Sequence, residues 1–156
     1  MIKEQMAAPR ESVGLKRYTD AFAPYTLTIL RVLVGFTFLM NGLPKLANFG
    51  GFTGFLTNLG IPLPGFFAII VVALEVGGGL LLIAGLATRW VSIFYLIEMT
   101  VTTLLVKLPN FGFIAPSGRP GVGAELDLLL LACVLLLLAH GSGPLSVERN
   151  LLNREL

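Results

Sequence analysis

Four apolar runs, 24–43, 64–86, 90–108 and 123–141, each come close to the roughly 20 residues that cross a bilayer. Three of them carry an ionisable residue deep inside: Arg31, Glu75 and Glu98. A charge at the centre of the hydrocarbon costs roughly 2.5–3.5 kcal/mol even on a lenient insertion scale. Such side chains persist where they face one another, or water, inside a bundle. The pattern predicts an all-α chain, a four-helix transmembrane bundle with a polar interior, and function is to be sought in that interior.

The remaining composition agrees. Of the 156 residues 13% are charged, against about 25% in soluble domains, and the mean hydropathy is +0.85. The formal charge is +2 with no basic stripe interleaved with aromatics, which argues against nucleic acid as a partner. One domain is expected over 24–148, between an N-terminal tail, 1–23, and a C-terminal tail, 149–156. Leu15, Tyr18 and Phe22 recur at helical spacing and predict a short interfacial helix ahead of Pro24. Seven basic residues (Lys3, Arg10, Lys16, Arg17, Arg89, Arg149 and Arg154) fall on one side of these spans, and three (Lys45, Lys107 and Arg119) on the other. The imbalance predicts a multi-pass protein of the inner or plasma membrane with both termini cytoplasmic.

The 44–63 connection carries an apolar stripe, Phe49, Phe52, Phe55, Leu56 and Leu59, stopped by Gly60 and two prolines. It reads as a short amphipathic helix in the first outer loop, either filling space at the membrane surface or roofing a cavity. The 109–122 connection is irregular by composition. Gly77-Gly78-Gly79, inside the second run, reads as tight helix packing rather than a phosphate loop, because no GxxxxGK[ST] is present.

In the first run Arg31, Gly35, Phe38, Gly42 and Lys45 follow 4-3-4-3 spacing and share one helix face, with Asn41 beside it. Glu75 shares a face with Gly78, Gly79 and Leu82, and Glu98 with Phe94, Tyr95 and Thr102. Arg31, Glu75 and Glu98 are expected at one depth. That would leave one net negative charge, or none if one acid holds a proton. Glu125 opens the fourth run, and Asp127 points about 200° away from it. Glu125 is therefore expected to face the bundle centre and pair with Lys45. Lys107 falls on the opposite side of its helix from Glu98 and is expected to snorkel to the interface.

One cysteine, Cys133, and one histidine, His140, exclude an intrachain disulfide, a Cys-x-x-Cys pair and a bis-histidine haem. No zinc or iron–sulfur spacing is present. No metal site and no covalent cofactor are expected. A redox group would be organic or sit on another subunit.

The segments Arg31-x3-Gly35 with Gly42 and Lys45, then Gly60-Ile61-Pro62-Leu63-Pro64, then Glu75-x-Gly77-Gly78-Gly79 with Gly85 and Arg89, resemble the DoxX family, as does Glu125 at the last helix. The ending Gly141-Ser142-Gly143-Pro144-Leu145-Ser146-Val147-Glu148 is similar to the family's Gly-x-Gly-x-x-Ser-Leu-Asp, and departs from it at Val147-Glu148. Lys107 stands where relatives often carry another polar residue, frequently His. The resemblance spans 24–148 and implies a four-helix membrane protein. Some members are linked to quinone-dependent oxidation, including a thiosulfate:quinone oxidoreductase subunit and subunits associated with terminal quinol oxidases; others are linked to oxidative stress.

Together these readings give an expected ligand, a quinone or similar lipid-soluble small molecule. Arg31, Asn41 and Lys45 would donate hydrogen bonds, Phe38 and Phe55 would border its ring, and Glu75, Glu98 and Glu125 would carry protons in catalysis. Expected partners are membrane lipid and a larger redox complex or a second copy of the chain. The competing reading is an accessory or scaffold subunit whose buried charges only fix helix register. A transporter or channel would need an aqueous path to both faces, and the apolar half beyond Arg31 argues against one.

Overall fold

The computed structural model describes residues 13–114 and 123–151, with side chains at 20–114 and 123–150. Every regular element among them is helical. Helix α1 runs Val13–Ala47. Helix α2 is Phe49–Asn58. Helix α3 is Pro64–Ala84 and α4 is Thr88–Phe111. Helix α5 is Ala124–His140, and a last turn, α6, is Val147–Leu151.

Three stretches are long and apolar enough to cross a membrane: Asp20–Ala47, Pro64–Ala84 and Thr88–Phe111. At about 1.5 Å per residue the 21 residues of α3 extend roughly 31 Å, close to the ~30 Å of bilayer hydrocarbon. Helix α5 has 17 residues and is correspondingly shorter. Helix α1 packs mainly along α3, and α4 along α5, while α1–α5 and α3–α4 contacts close the arrangement.

The expected break at Pro24 does not occur. Helix α1 continues through both Pro24 and Pro44. A proline removes one backbone donor and kinks a helix, but apolar membrane-type helices tolerate it because neighbouring turns re-satisfy the freed group. The side chains of Leu15 and Tyr18 and all of residues 1–12, on which the interfacial N-terminal helix partly rested, lie outside the described residues, as do 115–122 of the 109–122 connection. The chain leaves α1 through Asn48, whose side chain caps α2 by accepting from the Gly51 amide at 3.1 Å. A helix therefore stands where the 44–63 stripe predicted one.

Chain reversals are set by backbone geometry. Gly85, at φ +74°, ends α3 in a left-handed cap: its amide and that of Leu86 both reach the Leu81 carbonyl, at 2.8 and 2.9 Å. With the further bond from the Gly85 amide to the Leu82 carbonyl at 3.1 Å, this is the double-bonded C-terminal motif that favours glycine.

Apolar side chains fill the interior and cover the exterior alike. Val34, Phe38, Leu82, Val91, Tyr95, Met99, Leu130, Val134 and Leu137 form the buried core. Outward-facing positions are equally apolar: Ile69, Ile97, Leu104 and Leu129 are each more than half exposed. An apolar surface this continuous is what acyl chains cover. Arg31, Glu75, Glu98 and Asp127 are all buried inside.

Small residues set the α1–α3 register. A Cβ at Gly35 would lie 2.8 Å from the Gly79 carbonyl oxygen, and one at Gly42 would lie 2.8 Å from Cβ of Glu75. Gly78 and Gly79 pack tightly as expected, whereas Gly77 faces open space.

Candidate functional site

Two of the helices are locally widened. Residues Leu74–Gly78 of α3 and Thr103–Lys107 of α4 adopt π-helical turns. Single π turns concentrate at functional sites because each inserts a residue and re-aims the side chains around it. Both widened turns border the same cavity. It holds about 120 Å³ and is lined by Phe38, Asn41 and Lys45 of α1, Glu75 of α3, Met99, Thr102 and Lys107 of α4, and Leu126, Asp127 and Leu130 of α5.

One wall is an ion pair. Lys45 Nζ lies 2.5 and 2.6 Å from the two carboxylate oxygens of Glu75, and 5.1 Å from the centroid of the Phe52 ring, a cation–π contact. Glu75 is nearly fully buried, and Lys45 keeps part of its surface open. The opposite wall is a looser pair, Lys107 Nζ 3.9 Å from Asp127 Oδ1. The hydroxyls of Thr102 and Thr103 donate to Asp127 Oδ2 at 3.3 and 3.5 Å. The Glu98 carboxyl is not among the lining residues, but it lies beside Glu75 and within electrostatic reach of Lys45 and Asp127. Both of its oxygens are buried without a hydrogen-bond partner. A carboxyl so placed is costly. Phe38, almost fully buried, closes one side with its ring stacked on Tyr95, 3.6 Å between centroids and 6° between planes.

Several expectations need correction. Arg31 does not meet the two glutamates. Its guanidinium donates to the carbonyls of Ser142 at 2.6 Å and Leu145 at 2.8 Å, in the segment after α5. The buried Glu148 lies within its electrostatic range. Gly85 lies against the same guanidinium, with no room for a Cβ. The physical reason is register. Lys45 is 14 residues beyond Arg31 on one helix, about 21 Å at 1.5 Å per residue, and Glu75 is level with Lys45. Glu125 does not pair with Lys45 either. It is only partly buried and lies off the cavity, where Asp127 stands instead. Lys107 does not snorkel away, because the π turn Thr103–Lys107 inserts a residue between it and Glu98 and turns it back inward. Phe55 is exposed and packs on Phe52, with centroids 6.5 Å apart; Phe52 is the aromatic beside Lys45.

The structure thus brings together Phe38, Asn41, Lys45, Glu75 and Glu98 of the expected set, adds Asp127, Lys107 and Thr102, and places Arg31, Phe55 and Glu125 elsewhere. Asn41 lines the mouth while its amide donates to the Thr37 carbonyl at 2.8 Å. Asp127 was visible in the sequence as an acid in an apolar run. Lys107 could not have been found by period counting, because the π turn breaks the period. Among the described residues no group of His, Cys, Asp and Glu could hold a metal ion.

The DoxX family model matches residues 26–108, which contain α2, α3, most of α4, and α1 from Thr26 on. A Bacillus subtilis (strain 168) protein named "Putative oxidoreductase CatD" is 33% identical over 122 residues, 77% of this chain and 82% of that one. A Mycobacterium tuberculosis (strain H37Rv) protein named "Uncharacterized membrane protein Rv3486" is 33% identical over 146 residues, 88% of both chains. "Inner membrane protein YphA" of Escherichia coli (strain K12) is 29% identical over 136 residues, 85% of this chain and 96% of that one. No solved structure matches the chain. With apolar helices of spanning length, membrane-protein relatives and a family match over more than half its residues, this chain belongs to the DoxX family of integral membrane proteins.

Proposed function

We propose that the protein binds the polar head of a quinone, or a similar lipid-soluble carbonyl compound, in the cavity between Lys45–Glu75 and Lys107–Asp127, and assists membrane-linked redox chemistry there. The observation that carries this reading is Glu98, a buried carboxyl with no hydrogen-bond partner within electrostatic reach of Glu75, Lys45 and Asp127, three residues of a cavity that two π turns border. A quinone carbonyl accepts hydrogen bonds, and the Lys45 and Lys107 ammonium groups are donors. Reduction to a quinol consumes two electrons and two protons. The acids Glu98, Glu75 and Asp127 can hold and pass the protons, and the electrons would come from a redox partner subunit. Balanced charges on the two walls favour a neutral ligand over a free anion.

Size sharpens the reading. A cavity of about 150 Å³ holds a benzene molecule, so the roughly 120 Å³ here admits the carbonyl edge of one ring. The remainder of ring and tail would lie among apolar side chains. In the same reading α5 is a fourth span, α2 rests at the outer membrane surface and both termini are cytoplasmic, as the basic residues imply. The relative named as an oxidoreductase supports redox work. A second reading, an accessory subunit with structural charges, is favoured by Arg31, whose two terminal guanidinium nitrogens donate to carbonyls of this same chain.

Equilibrium titration of menadione into nanodisc-embedded protein tests the proposal. Saturable binding is expected, weakened roughly tenfold, about 1.4 kcal/mol, by Glu98→Gln and by Lys45→Met. Absence of saturable binding, or identical affinities in all three proteins, refutes it.

A further inference from the structure

Tyr95 is absent from the set of residues that touch the cavity, yet it reaches the segment that aims Glu75. It is completely buried. Its hydroxyl crosses from α4 to α3 and donates to the Leu74 carbonyl at 3.0 Å. Leu74 is the first residue of the π turn Leu74–Gly78, and Glu75 is the second. Four residues after Leu74, Gly78 makes the approach possible: a Cβ there would lie 2.8 Å from the Tyr95 hydroxyl oxygen and 3.2 Å from Cζ. The other face of the story is the ring, which stacks on Phe38, a wall of the cavity.

We infer that Tyr95 is a positioning residue: its hydroxyl holds the π turn of α3 so that Glu75 meets Lys45, and its ring holds Phe38 against the cavity. The plain alternative is that Tyr95 is core filling whose hydroxyl takes the nearest carbonyl. Three features of the geometry argue against that. The bond falls on the widened turn itself, where the helix pattern departs from the regular i→i+4 ladder. The partner position opposite is a glycine whose missing side chain admits the hydroxyl. The same ring backs Phe38, the only aromatic among the described residues that line the cavity.

The inference rests on the ligand reading for its affinity readout, but its structural readout is independent of any ligand. The infrared carboxylate band of Glu75, isolated by subtracting the spectrum of Glu75→Gln, reports the Lys45–Glu75 pair directly. Tyr95→Phe keeps ring volume and stacking and removes only the hydroxyl. It is expected to fold, to shift or broaden the Glu75 band, and to weaken menadione binding roughly tenfold, the size of one lost hydrogen bond. Ser92→Ala removes another buried hydroxyl of α4, bonded to the Thr88 carbonyl at 2.7 Å and remote from the π turn. It is expected to leave the band unmoved.

Gly78→Ala approaches the same contact from the other side. Alone it displaces the hydroxyl, shifts the band and lowers thermal stability. Combined with Tyr95→Phe it regains stability, because the closest clash is gone, without regaining the wild-type band. A Glu75 band unchanged in Tyr95→Phe, or one that moves equally in Ser92→Ala, overturns the inference. If the wild type fails to bind menadione while the band shifts in Tyr95→Phe, the ligand reading falls and the positioning role stands.

Discussion

Lys45 and Glu75 form a two-pronged ion pair between helices α1 and α3, with the ammonium 2.5 and 2.6 Å from the two carboxylate oxygens. The pair lies where Gly42 lets α1 approach the backbone that carries Glu75, so close helix packing and charge pairing reinforce each other. Removing one partner of a buried pair costs about 3–5 kcal/mol because the other charge is left uncompensated. Lys45 keeps about 29% of its side chain exposed, so the lower end of that range is expected for Lys45→Met. Adding Glu75→Leu should recover most of the loss. Thermal unfolding in detergent of wild type, single and double variants measures this; a double variant no more stable than Lys45→Met would refute it.

Asp127, not Glu125, is the acid of α5 that faces the cavity. Asp127→Asn weakens the pair with Lys107 and alters the bonds from Thr102 and Thr103. It is expected to reduce menadione affinity roughly tenfold, whereas Glu125→Gln should change it by no more than about twofold. The reverse order in a binding titration would put the site at the other face of α5.

Arg31 acts at the other end of the bundle. Its two bonds to the Ser142 and Leu145 carbonyls are charge-assisted and contribute roughly 1.5–3 kcal/mol each. Arg31→Met should destabilise the fold by a few kcal/mol on that scale and expose the chain after α5 to protease. Menadione affinity of the folded protein should stay within about twofold of wild type. Limited proteolysis and titration on the same preparation separate the two effects.

These outcomes show which parts of the molecule could be read from residues alone. Apolar runs interrupted by Arg31, Glu75 and Glu98 were enough to expect long helices with a polar interior, because charge in hydrocarbon leaves few alternatives. The 4-3-4-3 stripe correctly put Lys45, Phe38 and Gly42 on one face of α1. Relative height between helices was not legible: whether Glu75 meets Arg31 or Lys45 depends on how α1 and α3 slide past each other, which Gly35–Gly79 and Gly42–Glu75 contacts decide. Facing was misread at Lys107 because a constant 100° per residue does not survive a π turn. The DoxX-like ending was legible as a motif but not as a role. Its buried serines and Glu148 form the socket into which Arg31 fits.

Topology gives a further check. With Cys133 replaced by Ser, single cysteines introduced at Asn58 and at Asn150 should label from opposite sides of the membrane, with Asn150 reached from the cytoplasm. Labelling of both from one side would mean that α5 does not cross.

The most direct test is photolabelling with an azido-quinone in nanodiscs, followed by peptide mapping. Label is expected within 38–45 and 99–107, displaced by excess menadione and reduced in Glu98→Gln. Label confined to outward-facing positions such as Ile97 and Leu129, undiminished by menadione, would contradict a quinone-binding cavity between the two lysine–carboxylate pairs.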